Sequence, residues 1–255
     1  MSFRLIRRAV ALVLVLGTSI LRFWWMRLHG PRTLERRARW VHETCIRVLR
    51  AMEVRCRLVG RIPGNGLVVA NHLSYLDIVV LSAAMPCCFV AKAEIRRWPF
   101  FGKAARVGGT LFLDRSSLAS ADRVASAMGE RLKLPIPLVM FPEGTSTNGT
   151  MRRFHARLFE PVISAKAPVT AAAIRYATGD GTPESELCWY GDDSLGPHLL
   201  KTLGRPPFCA ELRFGEARLY GDRRTAANET FEEVALMREA RATEIREQES
   251  GIRGA

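Results

Sequence analysis

The stretch Val68–Asp77 reads VVANHLSYLD: an apolar run leads directly into Asn71-His72, and an aspartate follows at position 77. An imidazole with an ordinary pKa near ~6.5 takes and releases a proton at neutral pH. A carboxylate on one ring nitrogen sets the tautomer and leaves the other nitrogen free to act as a base. On a regular helix, residues five apart point roughly 140° from each other. His72 and Asp77 can therefore meet only if His72 lies in a turn and Asp77 in the first helical turn. Ser74 suits the cap of such a helix, with Asp77 three residues on as in a capping box. A structural histidine beside a helix cap has the same signature, and these residues alone leave both readings open.

Two more segments end an apolar run in polar residues. Gly108–Arg115, GGTLFLDR, delivers Asp114 and Arg115 to a strand end. A guanidinium is a planar fork of donors suited to phosphate, and an Asp-Arg pair is also an ordinary surface ion pair. Val139–Gly149, VMFPEGTSTNG, ends in a Pro-Glu-Gly-Thr-Ser-Thr turn. Gly144 permits close backbone approach, and successive amides with the hydroxyls of Thr145 and Ser146 suit an anion nest. An ordinary polar turn fits as well. The loop is no Walker A motif, since GxxxxGK[ST] is absent, and no G-x-S-x-G elbow marks a serine hydrolase. Cysteines 45, 56, 87, 88, 188 and 209 form no CxxC pair, and such sparse usage suits a reducing compartment.

The surrounding elements alternate. Residues 33–53 carry apolar residues at helical spacing, with arginines between them. The pattern then predicts strands over 54–59, 67–70, 89–91, 108–114, 137–141, 169–176, 187–190 and 209–214. Helices are predicted over 77–84, 120–132 and 225–246, with a turn at 62–66 and a polar loop over 142–149. Strands alternating with helices make the class α/β. Strand ends in such folds are where rigidly held loops build sites.

The chain has 255 residues and a net charge of +13, from 38 Lys+Arg against 25 Asp+Glu. Residues 1–61 hold 14 Arg and three acids, and the remainder is close to neutral. This excess does not spread over the folded body, which argues against a nucleic-acid binder. It flanks Ala9–Leu21, AVALVLVLGTSIL, between Arg4, Arg7, Arg8 and Arg22, Arg27. As a helix this run spans roughly 20 Å, and about 27 Å when extended through Met26, against a ~30 Å hydrocarbon core. A short tilted span, an in-plane helix, a signal peptide and a core helix all fit. The flanking arginines and Trp24-Trp25 favour membrane attachment. Residues 1–30 are read as an anchoring segment and 31–255 as a single domain.

His-x4-Asp, then FLDR, then FPEGT, in that order and at strand ends, resembles the glycerolipid acyltransferase family. That family includes the 1-acylglycerol-3-phosphate and other lysophospholipid acyltransferases. AKAEIRRWPFFG (91–102) and APVTAAAIRY (167–176) resemble its intervening and fourth blocks, so the likeness extends over most of the chain. The resemblance implies one acyltransferase domain with a mixed, largely parallel sheet flanked by helices. It implies acyl transfer from acyl-CoA or acyl carrier protein to a lysolipid hydroxyl, most simply 1-acylglycerol-3-phosphate. His72 would be the base and Asp77 its orienting carboxylate. Arg115, Glu143, Gly144, Thr145 and Ser146 would hold the acceptor's polar head. No metal and no cofactor are implied, no acyl-enzyme is required, and nucleic acid is not a partner. The enzyme would sit on the cytoplasmic membrane with its domain facing the cytoplasm.

One departure bears on the acceptor. Members that form phosphatidic acid usually read FPEGTR, and here Ser146 stands where that arginine would be. The altered loop, and CWYGDDSLGPHLL (188–200), resemble members acting on other lysolipids such as lyso-ornithine lipid. Arg152 or Arg153 lies close enough in sequence to supply the missing cation. His155 and His198 are read as structural. A degenerate membrane adaptor is the reading from another class, and the intact His72, Asp77, Arg115 and Glu143 argue against it.

Overall fold

The chain opens with α1 (Phe3–Leu28) and α2 (Leu34–Met52), followed by β1 (Val54–Val59), β2 (Leu67–Ala70), α3 (Leu76–Ala84) and β3 (Cys88–Lys92). A 3-10 turn leads to α4 (Phe101–Val107), β4 (Leu111–Leu113), α5 (Leu118–Leu132) and β5 (Leu138–Met140). The remainder comprises α6 (Glu160–Ser164), β6 (Val169–Thr178), α7 (Leu195–Gly204), β7 (Phe208–Phe214) and α8 (Arg223–Ile252). The structure, a computed structural model, describes residues 3–31, 33–97, 101–113 and 118–252.

Among the described residues the strands form one seven-stranded sheet, ordered β1-β7-β6-β2-β5-β3-β4. Only β6 and β7 pair antiparallel; every other pair is parallel. β2 is central because all four of its residues are apolar, and each is fully buried. Its side chains alternate between the two faces. Val68 and Ala70 join the core beneath α2 and α3, whereas Leu67 and Val69 join the core that contains Met128, Val162 and Val234 of α5, α6 and α8. The α/β class and the mixed, largely parallel sheet expected from the motifs are what the chain forms.

Most elements match their sequence patterns to within a few residues. The expected strand over 187–190 does not form. After a 3-10 turn at Glu184–Glu186, Leu187 and Cys188 are buried and Trp189 N–H donates to the Leu73 carbonyl at 2.8 Å, with no strand ladder among the described residues. The apolar residues there signalled burial rather than ladder pairing. The strand expected over 108–114 begins only at Leu111, because Gly108-Gly109 turns the chain out of α4. Gly109 has φ 86, and a Cβ there would sit 2.2 Å from Leu34 Cδ1. α7 escaped the sequence reading because Gly196, Pro197 and Gly204 obscure its period. Pro197 is tolerated because the first turn of a helix leaves its N–H groups unbonded anyway.

The N-terminal apolar run is longer as a helix than the sequence suggested, and it lies against the body. Leu5, Ala9, Leu12 and Val15 pack on the core beneath α2 and α3. Ser19 Oγ meets Thr44 Oγ1 at 2.5 Å, Trp40 Nε1 donates to Ser19 O at 3.0 Å, and Arg22 pairs with Glu43. The 30/31 boundary therefore falls in the turn between two packed helices. Arg8, only 1% exposed, fastens the start of α1. It donates to Leu203 O at 3.1 Å, to Arg205 O at 2.7 Å and to Glu53 at 2.6 Å. That contact, first among several, holds the Glu53 carboxyl below its usual range. Arg8→Ala leaves two carbonyls without donors and is expected to lower stability by about 1–3 kcal/mol. Thermal melting checks this, and an unchanged Tm would show that α1 is not held there.

Candidate active site

Asn71 ends β2 by imitating the next strand residue. Its side chain donates to Ile174 O at 3.1 Å and accepts from Ile174 N at 2.8 Å, so β6 continues its ladder on an amide side chain. The main chain is thereby free to leave the sheet at His72. β2 lies between β6 and β5, where the strand order changes direction, and sites in open α/β sheets form at the carboxyl ends of such strands.

His72 lies in the turn and Asp77 in the first turn of α3, the one arrangement that lets them meet. Nδ1 of His72 is 2.7 Å from Asp77 Oδ2. The same oxygen accepts the amides of Leu73 at 2.6 Å and Ser74 at 2.9 Å. The Asp77 amide bonds to Ser74 O rather than to its hydroxyl, which accepts from Leu76 N at 3.4 Å, so only the carboxylate half of the expected capping box forms. Asp77 is wholly buried, and its Oδ1 is taken by Tyr176 O–H at 2.6 Å. Burial and the Asp77 charge push the Tyr176 phenol far above its usual range. Among the described residues, His72 Nε2 has no hydrogen-bond partner, and the side chain is 18% exposed.

The FPEGT segment completes the setting. Phe141 lies flat on the His72 ring, with centroids 4.1 Å apart and planes at 12°. Thr147 N donates to His72 O at 2.9 Å. Glu143 is buried, and its two oxygens accept His72 N at 2.8 Å and Arg152 N at 2.7 Å. Burial holds its carboxyl above the usual range, a rise these two amides oppose. Glu143 thus faces the protein and braces the His72 turn. Gly144 takes φ 74, the left-handed conformation the turn requires, and its amide closes on Phe141 O. With the Gly144 and Thr147 amides committed, the expected nest reduces to the Thr145–Ser146 segment. The hydroxyls of Thr145 and Ser146 bond to no described residue. The Arg152 and Arg153 side chains are exposed and without an ion pair among the described residues. Asp114 and Arg115 lie outside the described residues.

The other candidate bases are occupied or displaced. His198 meets Tyr75 O–H at 3.2 Å through Nδ1 and Cys188 O at 3.0 Å through Nε2, and burial lowers its pKa. His155 opens a 3-10 turn, with its amide on Pro142 O. No group of three or more His, Cys, Asp or Glu among the described residues is arranged to hold a metal.

A family model described as Acyltransferase matches residues 53–175, from the start of β1 into β6. The lyso-ornithine lipid O-acyltransferase of Pseudomonas aeruginosa is 37% identical over 179 residues, which cover 69% of this chain and 69% of the relative. The chain belongs to the acyltransferase family. The 1-acyl-sn-glycerol-3-phosphate acyltransferase of Neisseria gonorrhoeae is 40% identical over 115 residues, 45% of each chain. The crystal structure of the 1-acyl-sn-glycerophosphate acyltransferase from Thermotoga maritima has the same fold. It superposes with a TM-score of 0.63 at 19% identity, covering 91% of this chain and 95% of that one.

Two residues of this acyltransferase's site lie in the quoted FPEGT and APVTAAAIRY segments, yet the motifs assigned them no role. Phe141 reads as the end of a strand, and Tyr176 as one more apolar-face residue 99 positions from Asp77. Alternation along β6 places Tyr176 on the α3 side and was the available signal. Tyr176→Phe leaves Asp77 Oδ1 buried without a donor. It is expected to lower kcat about 10-fold, in line with a lost bond to a charged group, with KM little changed. Steady-state kinetics with a folding control checks this, and wild-type kcat would show the phenol to be dispensable.

Proposed function

We propose that this acyltransferase moves a fatty acyl group from an acyl-CoA or acyl carrier protein thioester to the free hydroxyl of a lysolipid. The observation that carries the reading is the His72–Asp77 pair at 2.7 Å, with Nε2 open. Nε2 takes the hydroxyl proton as the oxygen attacks the thioester carbonyl. Asp77 stabilises the imidazolium that forms. The tetrahedral adduct collapses, the C–S bond breaks, and the imidazolium returns its proton to the departing thiolate. The products are an acylated lipid and a free thiol, and no metal or cofactor enters. Phe141 keeps the imidazole plane fixed and shields one face from water.

The acceptor in this proposal is 1-acylglycerol-3-phosphate, giving phosphatidic acid, with Arg115 and the Thr145–Ser146 segment on its phosphate. Arg152 stands in for the arginine that Ser146 replaces, because Glu143 ties the Arg152 and His72 amides to one carboxylate. A second reading, transfer to lyso-ornithine lipid, is favoured by Ser146 itself and by the longer alignment, 179 residues against 115. Thiol release with each acceptor is the test. His72→Ala and Asp77→Ala should each reduce turnover at least ~10³-fold while melting like wild type. Turnover in folded His72→Ala would overturn the mechanism. Turnover only with the ornithine acceptor would replace the first substrate by the second.

The site works at a membrane surface, on the cytoplasmic side. α1 is long and apolar enough to cross a membrane. Its inner face belongs to the core, so it lies in the interface rather than crossing it. The outer face presents Val13, Leu14, Leu21, Trp24 and Trp25, each more than half exposed. Trp24→Glu/Trp25→Glu should weaken vesicle sedimentation by roughly tenfold or more at unchanged Tm. Undiminished sedimentation would rule this face out as the anchor.

A further inference from the structure

At the edge where α1 turns into α2, a cavity of about 330 Å³ is lined by Phe23, Met26, Arg27, Pro31, Arg36, Arg37, Arg106 and Val107. Its walls are largely apolar, and among the described lining residues the charged groups are four guanidiniums with no carboxylate. Two of the arginines are partly engaged. Arg27 lies over Trp24, 5.8 Å from the ring centroid, and Arg36 makes long bonds of 3.4 Å to Pro31 O and His29 O. Arg37 and Arg106 have neither an ion pair nor a hydrogen bond among the described residues, and Arg37 Nε is buried without an acceptor. A buried donor without a partner costs free energy, and so does gathering like charges. An anion in the cavity offsets the repulsion among the gathered guanidiniums.

We propose that this cavity binds the phosphodiester of an anionic phospholipid. The lipid's chains would run along the exposed Leu21, Trp24, Trp25 and Leu28, which border it on α1. Phosphate matches the planar guanidinium forks, and Phe23, Met26 and Val107 suit the glycerol end of a lipid better than a fully hydrated ion. The position excludes the acyl donor. Arg106 and Val107 precede β4, and Arg36 and Arg37 open α2, so the cavity lies where the parallel strands begin. His72 lies where β2 ends, at the other edge of the sheet. A thioester carrier seated in the cavity would hold its acyl group away from the base. The inference rests on α1 meeting a lipid surface and concerns neither His72 nor the acceptor. The bound lipid would orient α1, and with it the catalytic edge, on the membrane.

The test uses the full chain in neutral detergent and dihexanoyl phosphatidylglycerol, a lipid that disperses as monomers, with Trp24 and Trp25 as fluorescent reporters. Saturable binding is expected. Arg37→Gln/Arg106→Gln should weaken it at least ~10-fold, whereas Arg55→Gln/Arg61→Gln, which removes two exposed arginines on and just after β1, should not. Dihexanoyl phosphatidylcholine should bind much less well, since its cation meets the arginines. Arg37 and Arg106 side chains have no ion pair or hydrogen bond to lose among the described residues, so the variant should melt like wild type. Equal binding by the two double variants overturns the proposal. So does inorganic phosphate binding as tightly as the lipid, which would make this a free-anion site. Binding of acyl carrier protein that depends on Arg37 and Arg106, without lipid binding, would assign the surface to that protein instead. Because the probe is a monomer, the result stands apart from vesicle attachment, whose failure would appear as lost sedimentation of the wild-type chain.

Discussion

A single buried carboxylate organises this molecule. Asp77 is removed from water, and four donors surround it: the His72 ring, two amides of the turn, and the Tyr176 phenol. An ion in such a place is very costly without that shell. The shell draws on three parts of the fold. The turn after β2 supplies the amides and the imidazole, α3 supplies the carboxylate, and β6 supplies the phenol. Moving any of them leaves either a bare charge or a mispointed base, so catalytic geometry and folding are coupled through one group.

The second carboxylate works differently. Glu143 spends both oxygens on main-chain amides, one from His72 and one from Arg152. It joins the loop after β5 to the turn after β2 with no substrate in between. The hydroxyls of Thr145 and Ser146 remain for a ligand, and the exposed cations Arg152 and Arg153 lie a few residues further on. The loop therefore divides its labour: the glutamate braces and the residues after it face outward. A change at position 146 can then be made without disturbing the contacts that hold His72.

α1 has two loyalties. Its inner face completes the core through Leu5, Ala9, Leu12 and Val15 and is fastened by the buried Arg8. Its outer face is a continuous apolar stripe ending in Trp24 and Trp25. Because the helix is packed along α2, its exposed apolar face is held in a fixed orientation to the edge that carries His72.

The local patterns carried much of this protein. Continuous apolar runs fall at β2 and β5, amphipathic spacing gives α2 and α5, and the order His-x4-Asp, FLDR, FPEGT specifies the family and marks the His72–Asp77 pair. These features are legible because strand burial, helix faces and turn chemistry depend on neighbours within a few residues. The unpaired segment over 187–190 and the hidden α7 show where that logic stops, since burial alone does not say whether a ladder partner exists. Tertiary structure alone decided that Tyr176 reaches Asp77, that Phe141 lies on His72, that Glu143 faces inward and that α1 is packed rather than free. Each of these joins residues far apart in sequence through the order of strands in the sheet. That order is set by the packing of the whole chain and leaves no mark in any short window of it.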